Sequence, residues 1–131
     1  MPLITMHGTV DPLYSFDGWA GTKYGQHLMG AIDAEDMWAS LASCTDPATT
    51  TELPNGVWDD GTTEELRVIG GCAAEAGVPL AMQLYIINNG GHTWPGGYQY
   101  LPSSVIGLTS QDIDASTLIW QFFAQFKTEG Q

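Results

Sequence analysis

The chain reads as a small α/β domain: a parallel strand–helix–strand crossover, an inserted antiparallel excursion and a C-terminal helix. Three observations predict this. Residues 3–6 and 80–87 are short apolar runs of strand length, each ending in a glycine-bearing loop. Between them, Ile32, Met37, Trp38 and Leu41 recur at helical spacing. Near the C-terminus Leu118, Ile119, Phe122, Phe123 and Phe126 form one wide apolar stripe.

The elements follow in order. The first run, Leu3 to Met6, enters His7-Gly8 and then a loop-like stretch rich in Gly, Asp and Pro over residues 7–27. A helix is expected over 33–43, with Asp33 as its N-cap and Asp36 three residues on, and Asp46-Pro47 stops it. Thr49-Thr50-Thr51-Glu52-Leu53 is β-branched and reads as a strand; residues 64–70, with Leu66, Val68 and Ile69, read as a second, exposed one. Turn signals at Pro54-Asn55-Gly56 and Asp59-Asp60-Gly61 join them into a hairpin-like excursion on a sheet edge. Residues 80–87 are the strongest strand and run into Asn88-Asn89-Gly90-Gly91-His92. A long loop over 88–111 precedes the last helix, capped by Asp112 or Asp114.

Composition excludes several classes of function. At 131 residues the chain is one domain, and 44% hydrophobic residues are enough to build a core. Lys+Arg number 3 against 15 Asp+Glu, a net charge of −12, which repels phosphates and argues against nucleic-acid partners and anionic membranes. No apolar run approaches the roughly 20 residues of a membrane span. The start, Met1-Pro2-Leu3-Ile4, reads without the basic and long apolar regions of a signal peptide. The two cysteines, Cys44 and Cys72, permit one disulfide or two buried thiols.

In an open parallel sheet, functional groups gather beyond the carboxyl ends of the strands. Asp11 and His92 lie just past the two expected strand ends, so the crossover brings them close. A carboxylate beside a histidine is two-thirds of a nucleophilic triad: the acid holds the imidazole tautomer while the ring takes a hydroxyl proton. By themselves these residues also read as a turn-forming Asp before Pro12 and a loop His among glycines.

His7-Gly8-Thr9-Val10-Asp11-Pro12 and Gly90-Gly91-His92-Thr93-Trp94-Pro95-Gly96-Gly97 resemble the two C-terminal signatures of secreted polyhydroxybutyrate-depolymerase-like esterases. These in turn are similar to the feruloyl and acetylxylan esterases of carbohydrate esterase family 1. Residues 109–116, with Ile119-Trp120-Gln121-Phe122-Phe123, look like that family's last helix, and Asp60-Gly61-Thr62-Thr63 and Gly70-Gly71-Cys72 also fit. The resemblance implies an α/β-hydrolase fold and an acyl-ester hydrolase with Asp11 and His92 as triad members. It implies no cofactor and no metal, an ester substrate of polymer or plant cell-wall type, and a secreted or periplasmic location. That location in turn implies a Cys44–Cys72 bridge.

The sequence departs from this family at the nucleophile. Ser15, Ser40, Ser43, Ser103, Ser104, Ser110 and Ser116 are its serines, and none lies in a Gly-x-Ser-x-Gly elbow. Residues 1–131 therefore read as one partial domain, the C-terminal half of such an esterase, without the N-terminal strands and the elbow and inactive alone. Its partners would be a missing N-terminal half or a second copy, through the edge or face of the sheet. Trp94 and Tyr98 are candidate substrate contacts, with Tyr100 and Trp19 as weaker ones; Trp94 reads equally as a rim residue packing its own loop. His7 reads as a support for the Asp11 loop.

Two other functions compete. One is a non-catalytic binding module with a degenerate cleft that uses Trp94 and Tyr98. The other is a metal site built from His7, Asp11 and His92. The acidic Asp59-Asp60-Gly61 and Glu64-Glu65 cluster reads as a solvated turn ahead of a calcium site.

Overall fold

A computed structural model describes residues 1–20, 27–75 and 78–126. Its elements in chain order are β1 (Leu3–Gly8), β2 (Trp19–Ala20), β3 (His27–Leu28), α1 (Ala31–Leu41), β4 (Thr49–Glu52), β5 (Thr63–Glu75), β6 (Val78–Asn88), α2 (Ser103–Ile106) and α3 (Ala115–Ala124). Four strands form one mixed sheet in the order β1-β6-β5-β4, and β2 pairs with β3 in a small ribbon.

The crossover forms as the two apolar runs require. β1 lies parallel to β6, with Leu3 opposite Met82 and Gly8 opposite Ile87. α1 packs on β6 between them in sequence. β6 is the centre of the fold: Leu80, Met82, Leu84, Tyr85, Ile86 and Ile87 are all buried. A strand covered on both faces reads as a near-continuous apolar run, as this one does. Ala39, Ile69, Cys72, Leu80 and Met82 form the core cluster, with Leu3, Ala42, Cys44 and Phe126 packed against it.

The excursion is antiparallel as expected but is more than an edge hairpin. β5 runs for 13 residues and pairs with β4 on one side (Thr49 opposite Val68) and with β6 on the other (Thr63 opposite Asn88). It is an interior strand, and Glu64, Ile69 and Cys72 on it are buried, not exposed. Register shifts interrupt its pairing with β6 between Ile69 and Cys72 and again before Glu75. Gly71 adopts a left-handed φ of 67° at the first shift, a conformation that favours glycine. There the strand meets the turn after α1: Asp46 N–H donates to the Gly70 carbonyl and Ala73 N–H to the Ala42 carbonyl. Cys44 and Cys72 are joined in a disulfide at this point, with Cα atoms 3.7 Å apart. Those backbone hydrogen bonds hold the two cysteine-bearing segments side by side, so the bridge joins neighbouring backbone.

α1 differs from its sequence reading in bounds and in facing. Gly30, not Asp33, is the N-cap: its backbone is extended, and the next residue's N–H donates to the Phe16 carbonyl. Asp33 falls in the first turn, where its charge suits the helix dipole. The buried positions are Glu35 and Ala39, whereas Ile32, Met37, Trp38 and Leu41 are exposed. The cause lies on β5. Arg67 reaches α1, pairing with Glu35 and with Asp36 at 2.7 Å, and so turns that face toward the sheet.

α2 lies within the expected long loop. α3 is capped by Asp114, whose carboxylate accepts the Thr117 N–H at 2.6 Å. Asp112 instead accepts the Val57 N–H, tying the two loops together. Along the α3 stripe Phe122 is buried against Phe123 and Phe126, and α3 contacts β1. β1 stands at the sheet edge, with β6 as its one strand neighbour among the described residues. No helix among the described residues is long and apolar enough to cross a membrane.

Candidate active site

Because β1 and β6 are parallel, their carboxyl ends open on the same side of the sheet. The backbone ladder continues past them: Thr9 N–H donates to the Ile87 carbonyl and Val10 N–H to the Gly90 carbonyl. This zipping requires glycine. A Cβ at Gly8 would overlap the Gly90 and Gly91 carbonyls, and one at Gly91 would overlap the Ile106–Gly107 backbone. The glycines beside His7 and His92 are therefore explained by close backbone approach.

The ladder delivers Asp11 to His92. His92 Nδ1–H donates to Asp11 Oδ2 at 2.9 Å, since a carboxylate can only accept. The residues are 81 positions apart in sequence. Asp11 Oδ1 accepts the Leu13 and Tyr14 N–H groups at 2.8 and 2.9 Å. One carboxylate thus shapes its own turn and orients the imidazole. Burial pushes the Asp11 pKa up, but the Tyr14 N–H, the His92 ring and the Leu13 N–H outweigh it and hold the group below the ordinary carboxylate value. The Asp11 side chain is 6% exposed and that of His92 40%, so the carboxylate is enclosed while the imidazole faces the opening.

His7 supports this loop. Its Nε2–H donates to the Tyr14 carbonyl at 2.8 Å, and the ring lies edge-on to Phe16. His92 itself is anchored by its N–H to the Ile106 carbonyl, and its own carbonyl accepts the Tyr100 hydroxyl at 3.1 Å.

A cavity of about 470 Å³ opens over the couple; its wall includes Met6, Asp11, Tyr14, His92, Trp94 and Tyr100. This size and mainly apolar lining suit a small organic ligand. Trp94 lines it, with its indole N–H donating to the Ser116 hydroxyl. Tyr98 is 87% exposed and outside the lining, and Tyr100 holds the place expected for it. Trp19 is also outside the wall and stacks on Tyr14.

No serine is among the lining residues. Ser103 and Ser104 are exposed on α2, and Ser110 is buried and donates to Glu64. Among the described residues no group of three or more His, Cys, Asp or Glu side chains is arranged to hold a metal ion. The Asp60 carboxylate is occupied by the Thr62 N–H and hydroxyl and by the Gln111 N–H, so the acidic turn caps its own loop.

Two features were not read from the sequence. Tyr14 stacks on the His92 ring; its only sequence signal is its place three residues after a turn-forming Asp. The buried Glu64 sits between Ser110 and Asp112, contacts between distant segments that leave no local pattern.

Fold and site together define a small α/β domain with a histidine–carboxylate couple at the carboxyl ends of two parallel strands. Compared with known proteins, the chain matches no family model, no curated protein and no solved structure.

Proposed function

We propose that this chain supplies the acid and the base of a serine esterase of the α/β-hydrolase type, acting on acyl esters of polyhydroxyalkanoate, feruloyl or acetyl-xylan kind. The observation that carries the reading is the Asp11–His92 couple, 2.9 Å apart at the mouth of an apolar cavity. With Nδ1 committed to Asp11, the other ring nitrogen is the free base. In the proposed reaction Nε2 takes the proton of a serine hydroxyl as its oxygen attacks the ester carbonyl. The imidazolium then returns that proton to the leaving alcohol, and Asp11 stabilises the charge without being protonated. A water repeats the sequence to release the acid.

The serine comes from outside residues 1–131, on a Gly-x-Ser-x-Gly elbow that this sequence does not contain. The natural partners on this reading are an ester substrate and a strand-bearing segment, an N-terminal half or a second copy, along the open side of β1. The Cys44–Cys72 bridge fits an oxidising, secreted or periplasmic setting.

The test is hydrolysis of short-chain nitrophenyl acylates. Residues 1–131 alone are expected to be inactive. Joined to an elbow-bearing segment encoded upstream they should turn over, and His92→Ala or Asp11→Asn should lower kcat by about 10³–10⁴. Turnover by the joined protein that survives both substitutions would refute the assignment. Saturable binding of an ester polymer by residues 1–131, with no elbow encoded upstream, would favour the non-catalytic module.

A further inference from the structure

One hydrogen bond fixes one atom of an imidazole. The ring of His92 is still free to tilt and twist about the Nδ1···Asp11 contact, and its side chain is 40% exposed, so core packing does not hold its plane. A base that must meet a hydroxyl proton within about 3 Å needs that second restraint.

The structure contains one. The Tyr14 ring lies against the His92 ring with centroids 5.6 Å apart and planes 28° from parallel. On Tyr14 in turn lies Trp19, at 6.3 Å and 27°. Tyr14 and Trp19 are 52% and 43% exposed, so neither ring is placed by burial. Tyr14 is instead held by its backbone on both sides: its N–H by Asp11 Oδ1, its carbonyl by His7 Nε2–H. Asp11 is the common point, reaching the ring edge of His92 through Oδ2 and setting the stacked face through Oδ1.

We propose that Tyr14 is a positioning residue that clamps the plane of the His92 imidazole, with Asp11 and His7 building the turn that holds it there. The clamp rests on the reading of His92 as the base, and it would act on any hydroxyl nucleophile brought to the cavity. Offset aromatic stacking of this kind contributes enough to change the ratio of held to released ring by about 2- to 10-fold. The backbone contacts of Tyr14 do not involve its side chain, so the turn survives removal of the ring.

The test is proton NMR of ¹⁵N-histidine-labelled protein, reading solvent exchange of the His92 Nδ1–H and of the His7 Nε2–H in the same sample. Tyr14→Ala is expected to speed exchange at His92 about 2- to 10-fold and leave His7 unchanged, while Tyr14→Phe keeps both at wild-type rates. Unchanged exchange at His92 in Tyr14→Ala would overturn the proposal. So would an equal increase at both histidines, which would make Tyr14 a structural part of the turn. These rates need no ester and no serine, so they stand apart from the turnover test: a joined protein without esterase activity would remove the catalytic reading and leave the clamp measurable.

Discussion

Replacing the Glu64 carboxyl by an amide should flatten the pH dependence of stability. Glu64 is 1% exposed on β5. Its Oε1 accepts the Ser110 hydroxyl, and its Oε2 and Asp112 Oδ2 are both buried without a partner. Burial pushes the Glu64 pKa up from 4.5 to about 7; the Ser110 hydroxyl opposes this, and the Asp112 and Asp60 carboxylates add to it. A proton on Glu64 supplies the donor that two facing carboxylates lack. Since the folded value lies above the unfolded one, this group's contribution is complete below about pH 4.5 and is lost as pH rises through about 7. At about 1.4 kcal/mol per pH unit, the interval from 4.5 to about 7 amounts to about 3–4 kcal/mol. Glu64→Gln keeps the acceptor for Ser110 and a donor toward Asp112 at every pH. Urea unfolding of both proteins at pH 5 and pH 8 reads the effect of Glu64 together with the Asp112 and Asp60 carboxylates that interact with it, because titrating groups remote from this cluster cancel in the difference. The variant should gain about 2–3 kcal/mol on the wild type between those two values. A difference that stays constant from pH 5 to pH 8 would show that Glu64 carries no raised pKa, and the buried-proton argument would fail.

Two further outcomes are expected. Cys44→Ser with Cys72→Ser opens a loop of sequence separation 28 and should lower stability by about 3–4 kcal/mol in non-reducing urea melts; a loss below 1 kcal/mol would mean that the flanking backbone contacts suffice. Sedimentation of residues 1–131 at low micromolar concentration should show association, since β1 is an edge strand and Trp120, Phe123 and Leu41 are exposed. A cooperative monomer that binds no hydrophobic dye would count against it.

Local pattern carried much of the fold. The apolar runs ending at Met6 and Ile87 specify buried strands because a strand covered on both faces needs no polar alternation. Asp114 is a legible cap because its carboxylate is within reach of an N–H three residues on. The glycines flanking His92 mark a loop, and the parallel crossover alone places Asp11 and His92 at one end of the sheet.

What lay beyond the sequence depends on contacts between distant segments. The apolar spacing in α1 points at Ile32, Met37, Trp38 and Leu41, yet Arg67 on β5 decides which face docks, because a buried Glu35 requires a cation. β5 reads as an edge strand until β6 pairs along its length and buries Glu64. The disulfide and the Asp11–His92 couple follow the same division. Residue type makes each chemically available, and backbone register sets whether the atoms meet. The sequence by itself determined the α/β class, the two parallel strands and the residues able to act as acid and base, because these depend on hydrophobic periodicity and side-chain chemistry. Only the tertiary structure decided that Tyr14 faces His92, that Tyr100 rather than Tyr98 lines the cavity and that Glu64 is enclosed with Asp112. Ring placement and burial are set by where loops far apart in the chain converge, and no local pattern encodes that.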